Sequence, residues 1–280
     1  MNVAHVAAFS DGEAGGNPAG VVLCDALPSA EEMQAVAAEV GYSETAFSAR
    51  QGDVWRTRYF APEMEVPFCG HATIALGAVL ALKHGDGVYP LQLNKTSISV
   101  EGRREGDHLT AALQSPPTHS APADAEQIAA SLALFGYSAD DLDHRLPPAL
   151  INGGAPHLVL ALNSRAALAA MHYDLAAGQT LMRANGWVTI SLVHAETDRL
   201  FHARNPFAAG GVYEDPATGA AAAALAGYLR DLGWPHGGSI EIIQGEDMGS
   251  RSRLSAAITP EKSASIRVSG ATRLMRALEG

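Results

Sequence analysis

Two segments of the chain, 149 residues apart, have the same arrangement: a loop containing proline and glycine, followed by an alanine-rich stretch. The first covers residues 67–80 and the second residues 216–229. At this one offset Gly70 aligns with Gly219, and alanine and leucine positions further along also coincide. Alanine and leucine are strong helix formers, so the repeat predicts two halves, each containing one long helix.

Each of these segments has a glycine in the expected first turn of its helix, where glycine is a poor helix former. Glycine is useful there because it lets another group approach the backbone closely. The first N–H groups of a helix have no intrahelical acceptor, and the helix dipole is positive at that end. The helix starts at Gly70 and Gly219 therefore predict a binding site for a small carboxylate.

A second pair of segments gives weaker support for a duplication. Residues 16–23 resemble residues 153–160 at an offset near 138, and each segment is a tight turn that leads into an apolar strand. The two pairs occur in the same order along the chain. Coincidence is the alternative, because a chain with 28 glycines aligns with itself easily.

Length and composition favour a globular protein of about two domains. The chain has 280 residues, of which 47% are hydrophobic and 18% charged. Its net charge is −11 without any cluster of lysine or arginine, which argues against binding to nucleic acid or to an anionic membrane. We expect a small molecule as its partner.

The cysteines and the apolar segments give expectations about location. Cys24 and Cys69 are too few for a disulfide framework or a cysteine zinc site. No basic segment precedes the first apolar residues, and the apolar run at 220–229 has about half the length that a bilayer needs. These features predict a cytoplasmic protein without a signal peptide.

The order of the elements favours an α+β fold, because neither half alternates strictly between strand and helix. Residues 92–100 alternate like one strand. Proline, serine and threonine are frequent at residues 114–124, which predicts a linker between an N-terminal domain of residues 1–116 and a C-terminal domain of residues 117–280. The C-terminal strand is a candidate to complete the first domain.

Short motifs in a fixed order connect these observations along nearly the whole chain. They are Gly16-Asn17-Pro18, Ser43-Glu44-Thr45-Ala46-Phe47, Tyr59-Phe60-Ala61-Pro62, Glu65-Val66-Pro67, Cys69-Gly70-His71-Ala72-Thr73, Glu214-Asp215-Pro216-Ala217-Thr218-Gly219, Gln244-Gly245 and Met248-Gly249-Ser250-Arg251. In the order and spacing of these motifs the chain resembles the PhzF-like family of phenazine-biosynthesis isomerases.

This resemblance implies a diaminopimelate-epimerase-like fold. Two similar domains would each wrap a barrel-like mixed or antiparallel sheet around a central helix, with the active site in the cleft between them. A homodimer is also implied. In the family's isomerase a glutamate moves a proton on a small cyclic amino-hydroxy acid without metal or organic cofactor.

The resemblance also implies which residues act. Glu44 would be the general acid and base, and His71 and Asp215 the other catalytic residues. The expected substrate-binding positions around them are Asn17, Cys69, Gly70, Thr218, Gly219 and Ala220. The family commonly has serine where this chain has Ala220, and the loss of a hydroxyl near the substrate points to a different substrate.

The residue types alone leave other roles open for these positions. Glu44 could be an ordinary strand residue that faces water, and His71 could be a packing histidine. Asp215 could serve only to complement a helix dipole, which is worth about 0.3–1 kcal/mol. Asn17 suits a turn as well as a ligand contact. A non-catalytic binding protein on the same fold is a further alternative, and Ala220 is the feature in its favour.

Cys69 is open to three interpretations. A thiol at a helix N-terminus has a lowered pKa and can act as a base. Epimerases that resemble this fold use two cysteines, but the partner position here is Thr218, which disfavours a two-cysteine racemase. A Cys69-dependent epimerase or dehydratase stays open, beside a small buried cysteine without a chemical role.

Motifs for other kinds of chemistry are missing from the sequence. It contains no His-Glu-x-x-His and no histidine pair at the helical spacing of metal ligands. The glycine-rich turn at residues 12–20 has neither a dinucleotide fingerprint nor the lysine of a phosphate loop, and there is no Gly-x-Ser-x-Gly elbow. We therefore expect no metal, no nucleotide cofactor and no serine nucleophile.

Overall fold

The computed structural model describes residues 1–106 and 108–275. The elements in chain order are β1 (Ala4–Ala8), β2 (Asn17–Cys24), α1 (Ala30–Val40), β3 (Thr45–Gln51), β4 (Val54–Phe60), β5 (Glu65–Val66), α2 (Gly70–His84), β6 (Gly87–Gln92), β7 (Ser97–Glu105) and β8 (His108–Pro117). They continue with β9 (His119–Pro122), α3 (Ala125–Phe135), β10 (Ala149–Asn152), β11 (Pro156–Ala161), α4 (Arg165–Ala169), α5 (Leu175–Asn185), β12 (Thr189–Ala195), β13 (Leu200–Phe207), β14 (Val212–Asp215), α6 (Gly219–Leu232), β15 (Ser239–Gln244), β16 (Ser252–Ala257) and β17 (Ser265–Leu274).

The chain divides into two compact units. The first contains residues 1–114 together with residue 268 onward, and the second contains residues 115–267. Among residues 1–106 and 108–275, no helix combines the length and the apolar character that crossing a bilayer would require.

The first unit is a closed barrel. Strand β2 pairs antiparallel with β1 and parallel with β3, β4 pairs antiparallel with β3 and parallel with β6, and β6, β7 and β8 form an antiparallel meander. Strand β17 pairs with both β8 and β1 and so closes a ring of eight strands. A closed sheet leaves no edge strand unpaired within the ring.

Helix α2 fills this barrel. Its residues 70–81 are all buried, and it packs against strands from several sides, including β1, β2 and β7. A helix surrounded by core has no polar face to maintain, which explains its run of alanine, leucine and valine. The contact with β7 is close: a Cβ on Gly102 would lie 2.8 Å from the carbonyl carbon of Gly77 and nearer still to its oxygen.

Replacing Gly102 by alanine is expected to destabilise the first unit by about 1–3 kcal/mol, because the new methyl group meets helix backbone that cannot move alone. Gly87→Ala is the matched control, since a Cβ there meets only the Tyr89 ring at 3.9 Å, and its effect should stay within about 0.5 kcal/mol. Urea unfolding of both variants measures the difference. Equal stabilities would show that α2 and β7 are not in backbone contact.

The second unit repeats the strand pairing of the first. Strand β11 pairs antiparallel with β10 and parallel with β12, and β13 pairs antiparallel with β12 and parallel with β15. Strand β16 then pairs antiparallel with β15, as β7 does with β6. Helix α6 is buried over residues 219–230 and packs against β9, β10 and β16. The same pairing order around one buried helix in each unit supports a duplication, and it confirms the expected α+β class.

Two expectations about local structure are wrong. Residues 114–124 contain the boundary between the two units, at 114/115, but they form strands rather than an irregular linker: β8 continues to Pro117, and β9 pairs antiparallel with β10. The prolines at 117 and 122 end their strands, where a missing N–H does no harm to the sheet. Residues 92–100 are not one strand, because a polar turn at Asn94 and Lys95 separates β6 from β7.

Candidate active site

The first group of predicted site residues lies where β3 and α2 begin. Glu44 directly precedes β3, and its backbone carbonyl accepts a hydrogen bond from the Gly20 amide at 3.3 Å. Its side chain is buried, with 8% exposure for the residue. The Glu44 Oε2 atom lies 3.4 Å from His71 Nε2. Glu44 is therefore not a strand residue that faces water, and it contacts the first turn of α2.

His71 makes side-chain contacts on both ring nitrogens. Nε2 lies 3.3 Å from Ser43 Oγ as well as 3.4 Å from the Glu44 carboxylate, and Nδ1 lies 3.3 Å from Cys69 Sγ. The residue is 4% exposed. The structure thus brings Ser43, Glu44, Cys69 and His71 into one cluster, in which Glu44, Cys69 and His71 are buried, although 25 residues separate Glu44 from Cys69.

The start of α2 is fixed by groups that the sequence analysis missed. Cys69 is the N-cap residue, with an extended backbone, and its carbonyl accepts a hydrogen bond from Thr73 Oγ1 at 2.6 Å. The buried Tyr59 hydroxyl lies 2.7 Å from Thr73 Oγ1, and burial raises the pKa of this phenol. This chain of contacts ties the first turn of α2 to β4, so the amides of Gly70 and His71 have a fixed direction.

The second group of predicted site residues lies in the second unit, at the start of α6. Asp215 ends β14 and is 7% exposed, and its Oδ2 accepts a hydrogen bond from Thr218 Oγ1 at 2.5 Å. Thr218 is the N-cap residue, and Gly219 and Ala220 form the first turn of α6. An acidic side chain, a hydroxyl and the first amides of a buried helix therefore lie together.

Gln244, at the end of β15, organises this helix start. Its Nε2 group donates to the Asp215 carbonyl at 2.6 Å and to Thr218 Oγ1 at 2.9 Å, while its Oε1 accepts from the Thr218 amide at 3.1 Å. The next residue, Gly245, has φ +74°, and a Cβ there would lie 2.7 Å from the Pro216 carbonyl oxygen. Gln244 is needed for these hydrogen bonds. Gly245 is needed because a side chain would not fit beside the loop that contains Pro216.

Gln244→Leu keeps the approximate size of the side chain but leaves the Thr218 amide and the Asp215 carbonyl without this partner. Each buried polar group left unsatisfied costs about 1–3 kcal/mol, so we expect a loss of stability in that range or above it. The exposed Gln51→Leu is the control and should change stability by less than about 0.5 kcal/mol. Urea unfolding measures both, and equal values for the two variants would contradict this assignment.

A buried ion pair supports the strand that carries Asp215. Arg204 donates to Glu214 Oε1 at 3.0 Å and to Oε2 at 2.5 Å, and both side chains are less than 10% exposed. The same guanidinium donates to the Ala169 carbonyl at 2.9 Å and the Met171 carbonyl at 3.2 Å. Arg204 therefore connects β13, β14 and the end of α4. No sequence motif pointed to it.

Two further predicted site residues, Asn17 and Ala220, are both buried. Asn17 is the first residue of β2, opposite Ala8 of β1, and is 2% exposed. Ala220 is 8% exposed in the first turn of α6 and supplies a methyl group where the resemblance leads one to expect a hydroxyl. Within the described residues, the group with metal-ligating potential is Glu44, Cys69 and His71, each 8% exposed or less.

Comparison with known proteins places this geometry in a family. The model of the phenazine biosynthesis-like protein family matches residues 6–277. The trans-2,3-dihydro-3-hydroxyanthranilate isomerase of Pseudomonas aeruginosa is 34% identical, over 94% of this chain and 93% of its own length. The uncharacterized isomerase YddE of Escherichia coli O157:H7 is 31% identical, over 98% of this chain and 96% of its own length.

A solved structure has the same fold as this chain. A predicted epimerase from Pseudomonas aeruginosa superposes with a TM-score of 0.84 at 27% identity, over 98% of this chain and 97% of that one. The diaminopimelate-epimerase-like fold implied by the motifs is thereby confirmed. With a family match over nearly its whole length and relatives that are isomerases, the chain belongs to the phenazine biosynthesis-like (PhzF) family and is an isomerase.

Proposed function

We propose that this isomerase moves a proton on a small carboxylate substrate, with Glu44 as general acid and base and without metal or organic cofactor. The observation that carries the proposal is the buried Glu44 carboxylate, 3.4 Å from His71 Nε2 at the start of a helix buried inside a barrel. A carboxylate in such a place can take a proton from carbon and return it to another carbon.

The helix starts supply the remaining chemistry. The first amides of α2, at Gly70 and His71, have no intrahelical acceptors and point out of the helix end. Donors of this kind stabilise a substrate carboxylate, or the negative charge that develops when a proton leaves carbon. The first turn of α6 at Gly219 and Ala220 offers the same donors, and the adjacent Asp215 offers an acceptor for an amine or hydroxyl.

The substrate class follows from these groups and from one relative. The matching Pseudomonas aeruginosa enzyme is named for a cyclic hydroxy amino acid, and a small amino or hydroxy acid of this type suits an amide-rich helix start beside a carboxylate. Ala220 favours a substrate that lacks the polar group which a serine there would bind. The proposal includes a homodimer in the cytoplasm, for which sedimentation and cell fractionation are the measurements.

The test is proton exchange in D2O. Wild-type protein is incubated with a panel of small cyclic and acyclic amino and hydroxy acids, and carbon-bound protons are followed by NMR. We expect exchange or rearrangement at one carbon pair of one substrate class. Binding of the acids without any exchange across the panel would contradict the proposal and favour a non-catalytic binding protein.

A second candidate function is a Cys69-dependent epimerisation or dehydration. The observation in its favour is the 3.3 Å contact between Cys69 Sγ and His71 Nδ1, because an imidazole beside a thiol favours the thiolate. The two functions separate in Cys69→Ser: this variant should keep exchange if Glu44 is the base and should lose it if the thiolate is the base. The same D2O assay decides between them.

A further inference from the structure

Cys69 occupies the N-cap position of α2, but its side chain makes no capping hydrogen bond to the helix. An N-cap side chain ordinarily accepts a hydrogen bond from the backbone N–H of the second or third helical residue. Here Sγ lies 3.3 Å from Nδ1 of His71, two residues further along. The backbone of Cys69 is fixed, because its carbonyl accepts from the Thr73 hydroxyl at 2.6 Å and from the Thr73 amide at 3.1 Å. The thiol is therefore held against the imidazole of His71.

The imidazole of His71 has a different partner on each side. Sγ of Cys69 is nearer to Nδ1, at 3.3 Å, than to Nε2, at 4.0 Å, whereas Oε2 of Glu44 lies 3.4 Å from Nε2. An ionised carboxylate only accepts hydrogen bonds, and a neutral imidazole has one N–H group and one lone pair. With Glu44 ionised, the N–H group of His71 is at Nε2, and the lone pair at Nδ1 faces the thiol. The hydroxyl of Ser43, 3.3 Å from Nε2, can accept from the same N–H group.

The second unit has the same arrangement at the start of its own buried helix. Thr218 is the N-cap residue of α6, and its side chain also makes no capping hydrogen bond. Its Oγ1 instead donates to Oδ2 of Asp215 at 2.5 Å and accepts from Nε2 of Gln244 at 2.9 Å. In each unit the N-cap side chain thus contacts a predicted catalytic side chain, and in the second unit it is the donor. This repetition supports the same direction of donation in the first unit.

We propose that Cys69 is a positioning residue: its S–H group donates to Nδ1 of His71 and thereby fixes the tautomer in which Nε2–H donates to Oε2 of Glu44. The hydrogen bond at one ring nitrogen sets which nitrogen carries the proton. This role rests on the proposed function, in which Glu44 is ionised before it takes a proton. Because His71 engages Oε2, the proton from carbon goes to Oε1 and leaves from Oε1 for the second carbon. The protons on Cys69 and His71 stay in place, and the sulfur forms no new covalent bond.

The first test needs no substrate, so it is separate from the proposed proton transfer. Protein labelled with ¹⁵N in its histidine rings is studied by long-range ¹H–¹⁵N correlation at about pH 7, above the reference pKa of glutamate and below that of cysteine. His71→Gln identifies the signals of His71 among those of the 11 histidines. We expect a protonated Nε2, an unprotonated Nδ1 and, in Cys69→Ala, a shift chiefly of Nδ1. A protonated Nδ1 in the wild type, or an Nδ1 signal unchanged in Cys69→Ala, would overturn the proposal.

The S–H stretch in the infrared spectrum gives a second measurement without substrate. Cys24 and Cys69 are the two cysteines of the chain, so Cys24→Ala leaves one S–H band, which belongs to Cys69. We expect this band at about pH 7, at the lowered frequency of a thiol that donates a hydrogen bond. A missing band at this pH would mean a thiolate. That result would overturn the proposal and favour the Cys69-dependent reaction instead.

Exchange in D2O tests the consequence for the reaction. Cys69→Ala should lower the exchange rate about 3–10-fold, the equivalent of one ordinary hydrogen bond, whereas Cys69→Ser keeps a donor and should lie closer to the wild type. In a His71→Gln background, Cys69→Ala should have no further effect, because the thiol acts through the imidazole. Cys24→Ala is the matched control, since Cys24 lies at the end of β2, and it should exchange at the wild-type rate.

Two outcomes of this series would overturn the positioning role. One is an equal loss of exchange in Cys69→Ser and Cys69→Ala, and the other is an undiminished effect of Cys69→Ala in the His71→Gln background. Circular dichroism shows whether each variant is folded. If the wild type exchanges no proton on any acid of the panel, the proposed function fails, while the NMR and infrared spectra still decide which atoms carry the protons.

Discussion

Replacing Glu44 by glutamine is expected to lower the rate of carbon–proton exchange by about 10²–10⁴-fold, the usual contribution of a positioned general acid or base. Glutamine has the shape of glutamate and can keep a polar contact with His71 Nε2, 3.4 Å away in the native chain. Substrate binding and folding should therefore change little. NMR in D2O measures the exchange rate, and ligand titration measures the affinity.

The matched control for this variant is Glu39→Gln, because Glu39 is exposed on α1. It should exchange at the wild-type rate. Exchange in Glu44→Gln at more than about one tenth of the wild-type rate would contradict the assignment of Glu44 as the base. Suspicion would then move to Cys69, whose sulfur is 3.3 Å from His71 Nδ1.

Replacing Arg204 by methionine is expected to destabilise the second unit by about 3–5 kcal/mol, the cost of removing one partner of a buried ion pair. Glu214 would be left without this partner, although its side chain is less than 10% exposed. The carbonyls of Ala169 and Met171 would also lose their donor. Urea unfolding followed by the fluorescence of Trp187 and Trp234, both in the second unit, gives the free energy of unfolding.

The double variant Arg204→Met/Glu214→Leu separates the effect of the unpaired Glu214 from the effect of the carbonyls that lose their donor. Because it removes both charges, its loss of stability should be smaller than that of Arg204→Met alone. Arg103→Met is the surface control: Arg103 pairs with Glu101 while its side chain is 62% exposed, and its loss should cost no more than about 1 kcal/mol. A double variant as unstable as the single one would show that the carbonyl contacts, rather than the ion pair, hold β14.

The repeated helices could be located from the sequence because their signals are local. An alanine-rich run that follows an early glycine predicts α2 and α6, and in the structure these helices end at the C-cap glycines Gly85 and Gly233. At the start of α1, Ser29 and Glu32 form a capping box, which also joins near neighbours in the sequence. Each of these features depends on residues within one or two turns of each other.

The wrong predictions concern strands, whose pairing does not depend on near neighbours in the sequence. Prolines near residues 114–124 predicted a linker, but a proline at a strand end does not prevent pairing, and β9 is a strand because β10 lies beside it. Strand pairing depends on a partner that can lie far away in the sequence. No local pattern contains that information.

The candidate site shows most clearly which features the sequence determines and which depend on the tertiary structure. The sequence by itself determined the two glycine-marked helix starts and, through the order of its motifs, the family and the residues Glu44, His71 and Asp215 as candidates. Only the tertiary structure decided that Glu44 contacts His71, that Gln244 secures the start of α6 and that Arg204 neutralises Glu214. Helix starts and caps are set by hydrogen bonds between near neighbours, whereas the contacts of buried polar side chains are set by which distant strands the closed sheets bring together.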